Sequence, residues 1–298
     1  MDKNFNKKHG VDKPEISIVM PCLNEAETVG VCIRKAKKKL KDLGVKGEVI
    51  VADNGSNDGS PELARQTGAR VINVTEKGYG AALMGGIRKA TGKYIIMGDA
   101  DDSYNFSEIA PFIDKLKEGN DLVMGNRLKG GIKKHAMPFL HKYIGNPVLS
   151  FIGRIFFKVP IGDFHCGMRA FTRDAFGKME LKTDGFEFCS EMVVKAAMKK
   201  LKIAETPVTL YPDGRSKKPH LNTWRDGWRH LRFLLMYAPH WLFLFPGLFM
   251  IMGSAILLPL LIFFPFHLGN INFGVHTILY LAVFLQTGIQ FLFFYIIV

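Results

Sequence analysis

Two closely spaced carboxylates, Asp99 and Asp101, follow an apolar run and belong to the segment GDADDS at residues 98–103. Carboxylates this close together raise each other's cost of ionisation unless a cation lies beside them. Mg²⁺ and Mn²⁺ prefer hard carboxylate oxygens and keep coordination positions open for the oxygens of a substrate phosphate. The pair therefore predicts a divalent metal site that also holds a diphosphate. Considered alone, an ordinary acidic surface loop is the alternative.

A further acidic cluster lies in ADNGSNDGS, residues 52–60, which follows another apolar run. Asp53 could accept a hydrogen bond from a nucleobase N–H, and the glycines would let the backbone turn close to a ligand. Asp58 and Ser60 could instead cap the helix that follows. This stretch alone leaves nucleotide binding and simple turn formation equally open.

The glycine-rich segment EKGYGAALMGG, residues 76–86, resembles a dinucleotide-binding loop only in part. Gly78 and Gly80 fit the first two glycines of such a loop, but Leu83 occupies the place of the third. The segment also follows the third predicted strand instead of the first. These differences disfavour an oxidoreductase. Lys77 could reach a phosphate, or it could be a solvated surface lysine.

The elements that must position these residues alternate in type. Apolar runs predict strands at residues 15–20, 48–53, 69–74, 94–99 and 121–126. The segments between them predict helices at residues 26–43, 61–67, 80–90 and 106–118. This alternation indicates an α/β fold with a mostly parallel sheet. In such sheets ligands bind beyond the carboxyl ends of the strands, which is where the polar clusters fall.

The pattern is less regular after Arg127. Residues 130–157 mix basic, aromatic and aliphatic side chains, which indicates a loop and an amphipathic helix near a membrane. A helix at 187–200 and a strand at 203–210 close the predicted domain. Residues 224–238 predict an amphipathic helix whose Trp, Leu and Arg side chains suit a membrane interface with anionic lipids. A core-facing helix with surface arginines is the alternative for this last segment.

Charge is distributed unevenly along the 298 residues. All 40 Lys and Arg and all 27 Asp and Glu precede residue 241, and the net charge is +13. Uncharged stretches at 241–264 and 273–298, joined by a short turn, are long enough to span a bilayer. A buried helical hairpin of a soluble protein is the alternative. If the stretches span a membrane, the positive-inside rule places the charged part in the cytoplasm.

The ends of the chain and its cysteines add three expectations. The polar residues 1–14 are expected to be disordered, without a signal peptide. The last apolar stretch reaches Val298 without a charged residue after it, which is typical of a truncated form, so the number of membrane crossings stays open. No CxxC pair occurs, so we expect reduced thiols at all cysteines. The cysteines are Cys22, Cys32, Cys166 and Cys189.

In combination, PCLNE, DNGSNDG, EKGYGAAL, DADDS and GNR stand in the order found in family 2 glycosyltransferases of GT-A fold. DFHCGMRAF, GRSK and the apolar stretches narrow the resemblance to the polyprenyl-phosphate glycosyltransferases, the group that contains dolichyl-phosphate mannose synthase. The resemblance covers residues 15–235. It implies a Rossmann-like GT-A catalytic domain at 15–212, an interfacial amphipathic segment at 213–239 and a transmembrane hairpin at 240–298.

Matching positions imply the roles of individual residues. The expected catalytic residues are Asp99, Asp101, Asp163 and Arg127, of which Asp99 and Asp101 would hold Mg²⁺ or Mn²⁺. The donor nucleotide-sugar is expected at Pro21, Asn24, Glu25, Asp53, Lys77 and Asp99. The acceptor lipid phosphate is expected at Lys142, Asn146, Ser216 and Lys217. Ser103 and His165 stand where the mannose synthases carry Gln and Thr, which argues against a mannose donor.

The resemblance implies an inverting transfer, in which the lipid phosphate attacks the anomeric carbon and a nucleoside diphosphate leaves. A phosphate monoester has its second pKa near ~6, so it needs little help from a base, and Asp163 is expected to orient the sugar. The expected partners are a UDP- or GDP-linked sugar, undecaprenyl or dolichyl phosphate and a membrane, without nucleic acid; a homo-oligomer stays open. The expected location is the membrane, and the inner membrane for a bacterial source.

Two other functions stay as alternatives. A processive polysaccharide synthase would carry a Q-x-x-R-W motif, and TWRDGW at residues 223–228 lacks its Gln. A membrane-tethered module that binds nucleic acid or anionic lipids would use the net charge of +13. That module would leave Asp53, Asp99 and Asp101 without a role.

Overall fold

A computed structural model describes residues 13–216, 223–264, 266–268 and 271–298 of the chain. The chain divides into two compact units between His230 and Leu231. Most of the N-terminal segment for which disorder is predicted lies outside the described residues, and so does Lys217. The domain limits derived from the sequence therefore stay a prediction.

The first unit contains a seven-stranded sheet in the order β3-β2-β1-β4-β6-β5-β7. Its strands are β1 (Ile16–Cys22), β2 (Gly47–Asp53), β3 (Arg70–Asn73), β4 (Tyr94–Met97), β5 (Leu122–Asn126), β6 (Arg169–Thr172) and β7 (Ile203–Pro207). All neighbouring strands are parallel except that β6 runs antiparallel to β4 and β5, between which it lies. The sheet is therefore mostly parallel, as the sequence pattern predicts.

The first unit also contains helices between the strands and after β7. They are α1 (Val29–Asp42), α2 (Ser60–Gln66), α3 (Tyr79–Lys89), α4 (Ala110–Lys117), α5 (Arg127–Gly130), α6 (Asn146–Phe157), α7 (Arg173–Met179), α8 (Phe188–Met198) and α9 (Thr223–Met236). A 3₁₀ turn at Phe106–Glu108 precedes α4, and a π-helical turn at His141–Gly145 precedes α6. Helix α9 extends from the first unit into the second.

Strand register brings the polar loops to one edge of the sheet. In the parallel pair of β1 and β2, Cys22 lies opposite Asp53, and in the pair of β1 and β4, Val19 lies opposite Met97. The loops after β1, β2 and β4 therefore leave the sheet side by side. Because β6 is antiparallel and Arg169 lies opposite Met97, the segment before β6 enters the sheet at this same edge.

Apolar side chains cover both faces of the sheet. On one face, Ile16, Ile18 and Met20 of β1 belong to a large buried cluster with residues of α1 and α4. On the other face, α3 packs so closely that a Cβ at Gly86 would lie 2.7 Å from Val19 Cγ1. A strand whose alternate side chains are buried on both faces has a nearly continuous apolar sequence, which explains the run ISIVM.

Some local features of the first unit differ from the sequence-based expectation. Strand β6 overlaps the end of DFHCGMRAF, where the sequence predicts no strand because four residues are too few to show a period. The helix predicted at 106–118 is divided into a 3₁₀ turn and α4, which has Pro111 in its first turn. Strand β4 ends at Met97, so Asp99 lies just beyond it.

The second unit contains helices α10 (Phe245–Phe263) and α11 (Val275–Ile297), and a π-helical turn at His240–Leu244 precedes α10. Both helices are long and apolar enough to cross a membrane, and most of their residues are not buried. They pack closely, since a Cβ at Gly247 would lie 3.0 Å from the Gly288 carbonyl oxygen. Their connection forms a hairpin of β8 (Phe266–Leu268) and β9 (Ile271–Phe273) where the sequence predicts only a turn.

Candidate active site

The predicted metal ligands, Asp99 and Asp101, lie in the loop after β4, and their carboxylates have different partners. Asp99 Oδ1 accepts a hydrogen bond of 2.8 Å from the Tyr79 hydroxyl at the start of α3. Asp101 Oδ1 accepts from the Ser103 amide at 3.0 Å and from the Ser103 hydroxyl at 2.6 Å. Asp101 Oδ2 lies 3.1 Å from Arg215 Nη2. A partner within the same loop, Ser103, and partners on two other segments, Tyr79 and Arg215, therefore fix the orientation of both carboxylates.

The electrostatics of this loop fit a divalent cation. Burial, and after it the neighbouring charge of Asp101, raise the pKa of Asp99 to about 6. A nearby cation would favour the charged form of this buried carboxylate. The described part of the chain holds no group of three or more acidic, His or Cys side chains arranged to enclose a metal. Two carboxylates alone suit Mg²⁺ or Mn²⁺, which commonly take their remaining ligands from water and substrate phosphates.

The loop after β2 uses the Asp53 carboxylate within its own turn. Asp53 Oδ2 accepts from the Gly55 amide at 3.1 Å, and Asp53 Oδ1 accepts from the Ser56 amide at 3.2 Å. The side-chain oxygen of Asn54, Oδ1, accepts a hydrogen bond from the Gly78 amide at 2.9 Å, and the Asn54 backbone carbonyl oxygen accepts one from Lys77 Nζ at 2.8 Å. The structure thus shows turn bonds made by Asp53, but the expected cap differs, since Gly59 is the N-cap of α2 and neither Asp58 nor Ser60 occupies that position. Nucleotide binding by Asp53 and phosphate binding by Lys77 stay predictions.

The loop after β1 is tied to the loop after β2. Pro21 lies in β1, and Asn24 has a left-handed backbone with φ of +59°. The Asn24 amide donates to Ser56 Oγ at 2.8 Å, and the Glu25 amide donates to Ser60 Oγ at 2.8 Å. Ser60 therefore helps to join two loops besides beginning α2. These cross-links hold the expected nucleotide-binding residues in one cluster at the sheet edge.

Glu25 belongs to the same charged group as Asp101. Burial raises the pKa of Glu25 to about 7, while Arg215 acts in the opposite direction. Arg215 Nη1 lies 2.9 Å from Glu25 Oε1, and Arg215 also pairs with Asp213 at 2.8 Å. The arginine therefore connects the loop after β1 with the loop after β4. No pattern in the sequence indicates Arg215, since the match of GRSK implies roles only for Ser216 and Lys217.

Arg127 and Asp163 form a buried ion pair with two parallel bonds. Arg127 Nε lies 2.7 Å from Asp163 Oδ2, and Arg127 Nη2 lies 2.8 Å from Asp163 Oδ1. The Arg127 amide donates to Asp163 Oδ2 as well, at 3.1 Å. Although burial opposes it, the Arg127 guanidinium holds the pKa of Asp163 below its ordinary value. Such a carboxylate is a poor proton acceptor, which agrees with an orienting role.

A second group of buried polar atoms lies next to this pair. The His165 amide donates to Asp163 Oδ1 at 3.3 Å, but neither His165 ring nitrogen has a hydrogen-bond partner. The ring meets the His230 ring edge-on, with 4.7 Å between their centroids, and His230 Nδ1 lies 2.8 Å from Ser190 Oγ. Burial lowers the pKa of His165 well below its ordinary value, so the ring is neutral.

Among the residues expected to bind the lipid phosphate, the three that the structure describes lie on two different segments, and Lys217 lies outside the described residues. Lys142 belongs to the π-helical turn before α6, and its Nζ lies 5.2 Å from the Tyr143 ring centroid. Asn146 begins α6 and donates to Met137 Sδ at 3.3 Å. Ser216 donates to the Glu27 carboxylate through its amide and its hydroxyl, at 2.7 and 2.6 Å. Their roles toward an acceptor stay predictions.

Comparison with known proteins identifies the family. The model for glycosyl transferase family 2 matches residues 17–179. The chain is 41% identical, over 89% of its length, to a low-salt glycan biosynthesis hexosyltransferase of Haloferax volcanii, of whose length it covers 63%. It is 29% identical, over 65% of its length and 82% of the relative's, to a dolichyl-phosphate hexose transferase of the same organism.

A solved structure shows the same fold. Glucosyl-3-phosphoglycerate synthase of Mycobacterium tuberculosis, crystallised with Mn²⁺, UDP and glucosyl-3-phosphoglycerate, superposes with a TM-score of 0.61 at 21% identity. The similarity covers 76% of this chain and 80% of that one, and it confirms the predicted GT-A fold. Because the family model matches more than half of the 298 residues, the chain belongs to glycosyl transferase family 2, as its motifs predict.

Proposed function

We propose that this protein transfers a hexose from a nucleotide-sugar to a polyprenyl phosphate at a membrane, with inversion at the anomeric carbon. One observation carries the proposal: loops after β1, β2 and β4 and the segment before β6 meet at the carboxyl edge of the sheet. There the acidic pair of Asp99 and Asp101 adjoins the expected nucleotide-binding loops. The hexosyl- and hexose transferase names of two relatives support this class of reaction.

The donor would bind with its diphosphate at the acidic pair. The two carboxylates of Asp99 and Asp101 are already oriented by Tyr79, Ser103 and Arg215. When bound there, Mg²⁺ or Mn²⁺ would offset the charge that develops on the leaving diphosphate. A protein of the same fold is crystallised with Mn²⁺ and UDP, which supports a divalent cation in this chain as well.

The acceptor phosphate would supply its own nucleophile. Its oxygen forms a bond to the anomeric carbon while the bond from that carbon to the diphosphate oxygen breaks, and the nucleoside diphosphate leaves. A phosphate monoester is largely dianionic at pH 7, so the chain need not supply a strong base. Asp163 fits this requirement because both of its oxygens are held by Arg127. The chain would contribute chiefly by positioning and charge stabilisation.

The second unit would anchor the enzyme where its lipid acceptor is found. Helices α10 and α11 are predominantly apolar and contain no Lys, Arg, Asp or Glu, since all of these residues precede residue 241. We propose that the two helices span the membrane and that the first unit is cytoplasmic. Trp224 and Trp228 support contact with the membrane surface, since 79% and 61% of these residues are exposed on α9.

A transfer assay tests the proposed function. The full chain in detergent is incubated with Mn²⁺, undecaprenyl or dolichyl phosphate and labelled UDP- or GDP-hexoses, and label is extracted into organic solvent. We expect lipid-bound label with at least one donor, and a loss of at least 100-fold in Asp99→Asn and Asp101→Asn. The matched control is Asp114→Asn on α4, away from the sheet edge, which is expected to keep full activity.

The outcomes separate the alternatives. Label that enters a water-soluble polymer instead of the lipid phase would favour a processive synthase. An absence of nucleotide-sugar binding by the folded chain would overturn the proposal.

A further inference from the structure

We propose that Arg215 is an internal counter-ion that competes with the divalent cation for Asp101 and thereby couples cation binding to diphosphate binding. The proposal rests on the proposed function, since it assumes a metal–diphosphate site at Asp99 and Asp101. It adds a residue to that site and a mechanism by which its two ligands support each other.

The first argument is the position of the guanidinium. Arg215 Nη2 lies 3.1 Å from Asp101 Oδ2 and 2.8 Å from Asp213 Oδ2, while Nη1 lies 2.9 Å from Glu25 Oε1. The Arg215 side chain is only 12% exposed. One guanidinium therefore satisfies three carboxylates with little access to water, and such charge-assisted bonds are among the stronger polar contacts in proteins.

The second argument is that the oxygen bound by Arg215 is the one a cation would take. The other oxygen of Asp101, Oδ1, already accepts two hydrogen bonds from Ser103, which shape the loop itself. Mg²⁺, for example, binds its oxygen ligands at about 2.0–2.1 Å. An ion at Oδ2 would therefore meet the guanidinium, 3.1 Å from that oxygen, as a neighbouring like charge. The two positive groups compete for one oxygen.

The third argument is that the backbone delivers Arg215 to this place. The Gly214 amide donates to the Asp101 carbonyl oxygen at 2.9 Å, and the Tyr211 amide donates to the Ser103 carbonyl oxygen at 3.0 Å. On the far side of Arg215, the Ser216 amide donates to Glu27 at 2.7 Å. Residues 211–216 thus follow the loop after β4, and the arginine is fixed beside the acidic pair instead of sampling the surface.

The coupling follows from these contacts. When a cation takes Asp101, the guanidinium loses an anionic partner in a nearly buried position, which weakens binding of the cation alone. A diphosphate at the same place offers the guanidinium new oxygens in a geometry that suits its fork. The nucleotide therefore lowers the free-energy cost of separating Arg215 from Asp101, and so strengthens binding of the cation. By thermodynamic reciprocity, the cation strengthens binding of the nucleotide by the same factor.

Measuring Mn²⁺ binding to the full chain in detergent tests this proposal. The EPR signal of free Mn²⁺ gives the affinity, once without nucleotide and once with saturating UDP or GDP. Arg215→Met removes the guanidinium. Arg70→Met is the matched control, because Arg70 at the start of β3 pairs with Glu48 of β2 at 2.7 Å and not with the acidic pair. In Arg215→Met we expect Mn²⁺ alone to bind at least tenfold more tightly than in the natural sequence. We expect the strengthening of Mn²⁺ binding by nucleotide to be at least tenfold smaller, and Arg70→Met to change neither quantity.

Arg215→Lys keeps the charge but loses the fork, and its Mn²⁺ affinity should lie between those of the natural sequence and Arg215→Met. This variant also tests the proposal if Arg215→Met does not fold, which its thermal unfolding midpoint will show. Unchanged or weaker Mn²⁺ binding in the folded Arg215 variants would overturn the counter-ion role while leaving the proposed function intact. Failure of the natural sequence to bind Mn²⁺ with either nucleotide would overturn the metal–diphosphate site itself, and the counter-ion proposal with it.

Discussion

Both oxygens of Asp163 are held by Arg127, and this arrangement determines what either residue can do. Asp163 is 1% exposed and Arg127 is 8% exposed, so each neutralises a charge that would otherwise be costly inside the protein. The family resemblance implies that Arg127 is a catalytic residue and that Asp163 orients the sugar, but it does not link the two residues. The structure shows that any ligand near Arg127 meets a guanidinium whose direction is fixed by Asp163.

Asp163→Asn should reduce the free energy of unfolding by roughly 3–5 kcal/mol, because it leaves a buried guanidinium without its counter-ion. Denaturant unfolding of the full chain in detergent measures this. Removing both charges, in Arg127→Gln with Asp163→Asn, should cost less than the sum of the single changes, since the two residues act as one pair.

The exposed pair of Glu62 and Arg65 provides the control for this measurement. Glu62→Gln should change the free energy of unfolding by less than about 0.5 kcal/mol, because water screens this pair. If Asp163→Asn changed the free energy of unfolding as little as Glu62→Gln does, the buried pair would not stabilise the fold as proposed.

Among the elements, helix α3 has the closest relation to both the sheet and the site. Its first residue, Tyr79, binds Asp99, and Gly86 near its other end lies against β1 and β2. A Cβ at Gly86 would come within 2.7 Å of Val19 Cγ1 and 3.0 Å of Ala52 Cβ. The glycine therefore lets α3 approach the sheet, and this approach positions Tyr79.

Gly86→Ala should lower the free energy of unfolding by about 1–3 kcal/mol, because the added methyl group forces α3 away from the strands. Gly177→Ala is the matched control, since Gly177 also lies within a helix and its Cβ would meet no atom within 4 Å. There the change should be neutral or raise stability by up to about 1 kcal/mol, through the better helix propensity of Ala. Equal effects of the two changes on the denaturant midpoint would show that α3 can shift without cost.

On the scale of the whole molecule, the chain separates its charge from its most apolar helices. A cytoplasmic first unit and a membrane-spanning second unit would place the sheet edge on the side where nucleotide-sugars are made. After expression in a bacterial host, we expect alkaline carbonate to leave the chain in the membrane fraction. A green fluorescent protein fused before residue 1 should fluoresce, since such reporters fold in the cytoplasm.

Leu257→Arg, within α10, should lower the fraction of chain retained in the membrane, because Arg at the centre of a spanning helix costs about 2.5–3.5 kcal/mol. Leu43→Arg, at an exposed leucine of the first unit, is the control and should leave retention unchanged. A dark reporter together with full alkaline phosphatase activity from the same N-terminal position would reverse the proposed orientation.

The sequence by itself determined the features that local patterns encode. Buried runs such as ISIVM predict the parallel strands, polar residues after them predict the ligand-binding edge, and the uncharged stretches predict the apolar helices of the second unit. These signals can be recognised because burial on both faces of a sheet, turn formation and passage through a bilayer each require a characteristic composition over a few consecutive residues.

Only the tertiary structure decided which distant residues meet. Arg127 and Asp163 are 36 positions apart, and Arg215 is 114 positions from Asp101 and 190 from Glu25. Strand β6 reaches its place between β4 and β5 through pairing with both, which four residues of sequence do not reveal. Contacts of this kind depend on the path of the whole chain, because the side chains on which they rest carry no periodic signal of their own.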